Sequence, residues 1–514
     1  MQRRSFLQSA AAAAAAVSLP RSRAFASEAF ATTVHVVPRR PQAIDAVTGD
    51  GERITLTPEA LLDLKARLRG RVLLAGDEGY DDARRILNPS FDKRPALIVQ
   101  PTGAADVRTA VNFARENKGL LLAVKCGGHS ASGQSTCDLG MLVDLSHFRG
   151  VRVDPIARRA LVAGGTLLGQ VDHEAQAYGL VTPMGTVSHT GVGGLVTGGG
   201  FGRVARRFGL SVDNLVAADV VTADGEFRRA SARENPDLFW GIRGGGGNFG
   251  VVTSFEFDLH PMQRRVVAGQ MVYPIARARD VLQLFAEYGP AVPDELDLGL
   301  VMAIPPGGAP GVILLQVCYS GAETGAERAL APLRKLGTPL DDSVKSMEYV
   351  AVQRSGDIND PRAEGSYLKS GFVANIPAGL ISAIIERFQG DPRRSTAIFF
   401  QQGGGAIARV PSSATAFAQR DVQANMLCAV GWKHGDDASE HIRWIKQYWT
   451  ALEPFTHGFY VNDLESEHSA AAIKENYRRN HDRLVAVKNK YDPKNLFRLN
   501  ANVKPTAKAT AKAT

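Results

Sequence analysis

The 514 residues leave room for two or three domains with large cores, and 44% hydrophobic with 22% charged residues is the composition of a soluble globular protein. The formal charge is +8, but Arg3, Arg4, Arg21 and Arg23 sit in the first 26 residues and Lys504, Lys508 and Lys512 in the last eleven, so the body is near neutral. No basic stripe with interleaved aromatics occurs, and nucleic-acid binding has little support.

The chain begins with an export pattern. Arg3-Arg4 precede Ser5-Phe6-Leu7, an apolar run covers residues 10–19, and Ala24-Phe25-Ala26 fits a small-residue cleavage site. Residues 1–26 therefore read as a twin-arginine signal peptide cleaved near Ala26, which predicts a periplasmic or secreted protein. That pathway carries folded cargo, often with a cofactor already inserted. The apolar run is too short to span a bilayer comfortably, and no other stretch would make a stable membrane anchor. The four cysteines, Cys126, Cys137, Cys318 and Cys428, match no zinc spacing, and no metal site is expected. Cys318 ends a buried-strand pattern over residues 312–318 and reads as an inert core thiol. A Cys126–Cys137 bridge is open in an oxidising compartment but nothing in the spacing supports it.

Residues 27–80 form an N-terminal lead, with helix periodicity over residues 57–69 and Thr57 as N-cap. Short strands follow at 96–99, 121–124, 141–145 and 160–163, with helices at 105–117 and 167–178. This is α+β organisation, not a long βαβ series. Beyond residue 263 the texture changes: strands such as 266–272 and 300–304 alternate with amphipathic helices such as 276–287 and 326–336. Residues 470–490 read as one helix, and the tail 506–514 as low-complexity and disordered.

Three glycine constellations carry the chemistry. The strand at 121–124 runs into Lys125-Cys126-Gly127-Gly128-His129-Ser130, where uncovered backbone N–H groups suit a pyrophosphate. Gly185-Thr186-Val187-Ser188-His189-Thr190-Gly191-Val192-Gly193-Gly194 leads to Gly198-Gly199-Gly200-Phe201-Gly202, where so many absent side chains suit a flat ligand laid on the backbone. The third, Arg243-Gly244-Gly245-Gly246-Gly247-Asn248-Phe249-Gly250-Val251, contains a G-x-G-x-x-G but runs into a strand, which excludes a Rossmann site. No Walker A sequence occurs.

In this order, and with the C-terminal stretch Asn480-His481-Asp482-Arg483-Leu484, Lys488, Tyr491-Asp492-Pro493 and Asn495 to Asn502, the chain resembles the berberine bridge enzyme-like branch of the vanillyl-alcohol oxidase (PCMH-type) flavoproteins, over residues 80–505. The resemblance implies an α+β fold: a two-part FAD-binding domain of PCMH type (81–263), an α+β substrate domain on an antiparallel sheet with covering helices (264–455), and a C-terminal segment (456–505) returning to the FAD domain. It implies FAD bonded at its 8α carbon to His129, with Lys125, Gly127, Gly128 and Ser130 at the pyrophosphate. Gly185, Thr186, Thr190, Gly191, Gly194, Gly199 and Gly200 should run along the cofactor, with Gly250, Val251, Asn500 and Asn502 close to it. The chain departs from relatives at three places. Val187 stands where many carry a second flavin-linking Cys, so a single link through His129 is expected. Thr190 stands where relatives place Val or Leu near the route of oxygen, which leaves O2 or another electron carrier open as the acceptor. Lys125 replaces a common Arg.

The resemblance further implies oxidation of a C–O or C–N bond of a small molecule by hydride transfer to flavin, assisted by a base. Tyr460, in Gly458-Phe459-Tyr460-Val461-Asn462, is the candidate base. Alternation over 397–402 puts Phe400 and Gln402 on one face and Phe399 and Gln401 on the other. One glutamine is expected to bond substrate, and Gln402 is the candidate. His189 reads as either a proton carrier or a structural hydrogen-bond partner. A flavin dehydrogenase and a non-catalytic flavin-binding protein are the alternatives to an oxidase.

Overall fold

A computed structural model describes residues 42–357, 362–463 and 469–506. The export signal and nearly all of the tail lie outside the described residues.

The first layer is a mixed four-stranded sheet. Leu97–Gln100, Met141–Asp144 and Leu122–Lys125 pair in parallel, and Arg71–Leu74 joins the edge antiparallel. Its central strands are buried on both faces, so they are apolar without alternation. Thr57 caps the helix Pro58–Arg67 by accepting from the Ala60 amide, and Leu61 and Leu64 on its inner side are buried. They share one core with Val99, Val107, Val111 and Val143 and with Ala46 and Leu56 of an N-terminal hairpin. The described part of the expected lead over 27–80 is therefore built into this layer, because its amphipathic helix needs the sheet to cover its apolar side.

A second, antiparallel sheet runs in the order Phe227–Ser231, Leu215–Thr222, Gly250–Asp258, Arg159–Ala163 and Val151–Asp154. The third sheet has eight antiparallel strands, with Arg265–Pro274, Val312–Tyr319, Leu296–Ile304, Arg394–Gln402, Ala424–Lys433 and Glu364–Val373 in spatial order. Helices Ala278–Tyr288, Ala326–Arg334, Ala378–Arg387 and Ser439–Leu452 bury their apolar sides, with Phe285, Leu330, Ile384 and Trp449, in one core against Leu300, Ile398, Phe400 and Met426. All four cysteines are free. Cys318 is fully buried, and burial pushes its thiol up to about 12.

The C-terminal segment is two helices, Ala470–Tyr477 and His481–Tyr491, where periodicity predicts one. The break falls at Arg478, which has φ +49°. The next turn buries Asn480, whose Nδ2 donates to the Ser412 carbonyl at 2.7 Å and the Thr415 carbonyl at 3.1 Å. A side chain tied to a neighbouring loop overrides a continuous apolar stripe. Further on, Lys488 and Asp492 are both wholly buried. The Lys488 ammonium donates to Asp492 at 2.6 Å and to the Asn248 and Phe497 carbonyls, each at 2.8 Å. Asp492 accepts in turn from the Leu496 and Phe497 amides. Asn248 completes the clasp, donating to Ala501 O at 3.0 Å and accepting from Val503 N at 2.9 Å. Asp492→Ala would strand a buried ammonium, so a loss of about 3–5 kcal/mol is expected in urea unfolding. A change under about 1 kcal/mol would show that the clasp contributes nothing.

Candidate active site

A cavity of about 400 Å³ opens where the three sheets meet. One end is walled by the apolar side chains of Leu122, Val124, Leu145, Val251 and Phe497, all of which pack in the core of the first layer. The other end carries polar groups, Gln401, Tyr460, Asn462 and Asp463.

The wall between these ends is backbone. Leu122–Lys125 delivers Cys126-Gly127-Gly128-His129 to the cavity, and Gly128 turns at φ +71°. Gly127 lies against Gly191, so closely that a Cβ on either would overlap the other's amide nitrogen. Only paired glycines let the two loops meet. The Gly185 loop then enters a short helix, Val192–Gly198, whose Val192 and Val196 are buried. An alanine at position 191 would force the loops apart at a strain of about 1–3 kcal/mol. Gly191→Ala is thus expected to weaken FAD binding about tenfold or more. The check is a titration in a His129→Ala background, where binding is reversible, and unchanged affinity would refute the cradle.

Of the residues expected at the cofactor, Gly127, Gly128, His129, Ser130, Gly185, Thr186, Thr190, Gly191, Gly194, Gly250, Val251 and Asn500 line the cavity. Four do not. The Lys125 side chain leaves the opposite face of its strand, because alternation sends Leu122 and Val124 inward to the cavity. It is buried beside Asp144 at 3.4 Å and donates to the Ala83 carbonyl. Gly199 and Gly200 are glycines for protein packing: a Cβ would meet Phe417 and Tyr460 at the first and Ser211 at the second, and both have positive φ. Asn502 falls just beyond the lining, between Ala501 and Val503, the two residues that Asn248 holds.

The lining suits a large polar cofactor. Ser135 Oγ and Asn500 Oδ1 are buried without a hydrogen-bond partner among the described residues and face the cavity. Buried polar atoms left so are costly unless a ligand or water completes them. With the glycine wall and the apolar end, they fit a dinucleotide of the FAD type. Ser135, Thr197 and Phe497 were not legible beforehand, since no glycine or histidine marks them.

His129 is half-buried, and loss of solvent, with His189 beside it, holds its imidazole down to about 3, so it is uncharged at neutral pH. The polar end revises both catalytic candidates. Tyr460 is buried in an aromatic cluster with Phe201, Phe372 and Phe417. Its hydroxyl accepts from the Gly200 amide at 2.8 Å and from Asn462 Nδ2 at 2.7 Å. Burial raises its phenol above the ordinary tyrosine range, the wrong direction for a base. Gln402 points to the helical side of its sheet, where it accepts from Leu298 N at 2.8 Å and donates to Gly289 O at 2.6 Å. The alternation is as expected, but the face open to the cavity carries Gln401. Gln401 Oε1 accepts from Asn425 Nδ2 at 2.9 Å, and the same nitrogen lies 2.9 Å from Asp463 Oδ2. Burial lifts the Asp463 carboxyl to about 6. Asp463, three residues beyond Tyr460, is the acid that sequence reasoning passed over.

The profile of the family described as "FAD binding domain" matches residues 95–231, and that of "Berberine and berberine like" matches residues 460–504. An FAD-linked oxidoreductase of Dictyostelium discoideum is 33% identical over 85% of this chain and 95% of its own length. The crystal structure of 6-hydroxy-D-nicotine oxidase from Arthrobacter nicotinovorans superimposes with a TM-score of 0.77 at 29% identity, covering 85% of this chain and 98% of that one. Xylooligosaccharide oxidase from Myceliophthora thermophila, in complex with xylobiose, gives 0.78 at 27% identity, covering 88% and 99%. With the glycine cradle, the clasped C-terminus and this breadth of coverage, the chain belongs to the berberine bridge enzyme-like FAD-linked oxidoreductases.

Proposed function

We propose that the protein is an exported oxidase. It takes a hydride from a carbon bearing a hydroxyl or amine group of a sugar, alcohol or secondary metabolite, and passes the electrons to molecular oxygen. The observation that carries the reading is Asp463, a half-buried carboxylate at the polar end of the cavity, joined through Asn425 to Gln401. Gly127, Gly128, Ser130 and the loop from Gly185 to Gly194 would hold FAD, with His129 as its point of attachment, and the flavin would supply the hydride acceptor. Asp463 takes the hydroxyl or amine proton of the substrate. A carboxylate at about 6 is ionised near neutrality yet keeps affinity for a proton, which is what a general base needs. The Asn425 amide fixes its orientation. Gln401 spends only its oxygen on Asn425, so its amide nitrogen offers a donor to a second polar group of the substrate.

Likeness to a xylooligosaccharide oxidase and a 6-hydroxy-D-nicotine oxidase supports both C–O and C–N chemistry. The test is a panel of oligosaccharides, aromatic alcohols and hydroxylated cyclic amines mixed with the protein without oxygen. Bleaching of the flavin by a member, followed by rapid reoxidation in air with hydrogen peroxide, is expected. Slow reoxidation without peroxide would replace the oxidase with a dehydrogenase, the alternative that Thr190 motivates. Failure of every compound to bleach the flavin would leave only a flavin-binding protein. Export rests on the pattern of residues 1–26, and N-terminal sequencing of the mature protein should begin near Ser27.

A further inference from the structure

The imidazole of His129 has a different neighbour at each ring nitrogen. Its Nε2 lies 2.6 Å from Nδ1 of His189, and its Nδ1 lies 3.3 Å from Oγ1 of Thr190. Thr190 lines the main cavity. His189 does not: it lines a second cleft, on the far side of the Gly127-Gly128-His129 turn. The ring thus presents Nδ1 on the cofactor side and Nε2 to His189.

Both histidines stand on braced backbone: beside His129, the Leu87 amide donates to the Gly128 carbonyl at 2.9 Å. The Leu168 amide donates to the Thr190 carbonyl at 2.9 Å, and the Gly169 amide to the Ser188 carbonyl at 2.8 Å. Ser188 donates through its amide and its hydroxyl to Asp357, at 2.8 and 2.6 Å. The two rings are therefore held in contact by the loops that carry them. A 2.6 Å nitrogen–nitrogen line holds one hydrogen, a donor on one ring and a lone pair on the other. With the hydrogen on Nε2 of His129, the lone pair of that ring falls on Nδ1, toward the cavity. Thr190 Oγ1, at 3.3 Å, competes only weakly for it.

We infer that His189 is the proton acceptor for the attachment of the flavin: Nδ1 of His129 forms the bond to the 8α carbon while Nε2 of His129 gives its proton to Nδ1 of His189. The inference rests on the covalent reading above. The new C–N bond replaces one C–H bond of the 8α methyl group and one N–H bond of His129. The two electrons, and in net two protons, reduce the flavin ring. Molecular oxygen then takes both electrons and both protons, leaving as hydrogen peroxide and restoring the oxidised ring. His189 gives up its transient proton through the second cleft. It acts through His129 and is a positioning and proton-accepting residue, with no part in substrate oxidation.

The test compares the wild-type protein with His189→Gln and His189→Ala, each prepared as apoprotein and mixed with FAD in air. Total bound flavin is read by absorbance and attached flavin by fluorescence of the acid-precipitated protein. Both variants are expected to bind FAD, with attachment slowed at least about 100-fold, and free imidazole should speed the alanine variant in part. A purely structural role would lower total flavin and attached flavin together. Attachment at the wild-type rate in His189→Gln would overturn the inference. The flavin-bearing peptide of the wild-type protein gives a second check that needs no variant. Its link is expected at Nδ1, and a link at Nε2, the nitrogen that faces His189, would overturn the inference as well. A wild-type protein with no acid-stable flavin at all would instead remove the covalent reading on which this one stands.

Discussion

His129→Ala is expected to abolish acid-stable flavin completely while leaving FAD bound. The wild-type protein should give a yellow pellet in trichloroacetic acid, and the variant a colourless one with all its flavin in the supernatant. Attachment at His129 is what the family resemblance implies, and the thiols near the cavity offer no competing nucleophile. Val187 occupies the loop position where a thiol could make a second link. Cys126 is the one cysteine on the lining, but burial pushes its thiol up to about 11 and its Sγ rests 3.6 Å from the Thr166 carbonyl. A thiol so seldom ionised is a poor nucleophile. His129 is uncharged, lines the cavity and keeps a lone pair. The variant still has the glycine cradle and the unpartnered Ser135 and Asn500 atoms, so FAD should bind reversibly and be lost on dialysis. A yellow acid pellet from the variant would mean another attachment point. In an exported protein such a tether would have a physical use, since a cofactor lost outside the cytoplasm is diluted without limit.

The glycines that matter were legible as a pattern, but not one by one. Gly127 and Gly191 are glycines because two loops touch, whereas Gly199 and Gly200 are glycines because Phe417, Tyr460 and Ser211 crowd them. Both demands write the same letter in the sequence, and only three dimensions separate a ligand from a neighbour. Strand alternation was equally sound and equally incomplete. It separated Gln401 from Gln402, but periodicity does not say which face meets the cofactor. That depends on the helices Ala278–Tyr288 and Ser439–Leu452, which take the face of Phe400 and Gln402 into their core. The helix break at Arg478 was hidden for a similar reason: Asn480 finds its partners some 65 residues upstream. Asp463 was missed because Tyr460 matched a known pattern three residues earlier, and burial, which gives Asp463 its chemistry, leaves no mark in a string of residues.

Those two residues give the other large effect. Asp463→Asn is expected to slow flavin reduction by substrate about 10²–10⁴-fold, the ordinary contribution of a general base. The substitution preserves size, and an amide oxygen at 463 can still accept from Asn425, so FAD content and stability should change little. The pH profile carries the sharper distinction. Burial raises the Asp463 carboxyl from its ordinary 3.8 to about 6. The base is the deprotonated form, so the wild-type rate of reduction should rise with pH through about 6 and level off above it. The residual rate of the variant should lack that limb. Tyr460→Phe is the comparison. It removes the acceptor for Gly200 N and Asn462 Nδ2, at a cost of about 1 kcal/mol for each bond, and should lower stability while keeping the limb near pH 6. Loss of the limb in Tyr460→Phe, with Asp463→Asn retaining it, would return the role of base to the phenol. The geometry argues the other way: the Tyr460 hydroxyl already accepts two hydrogen bonds from the protein, and burial raises its pKa, whereas the Asp463 carboxylate has one amide donor and lines the cavity.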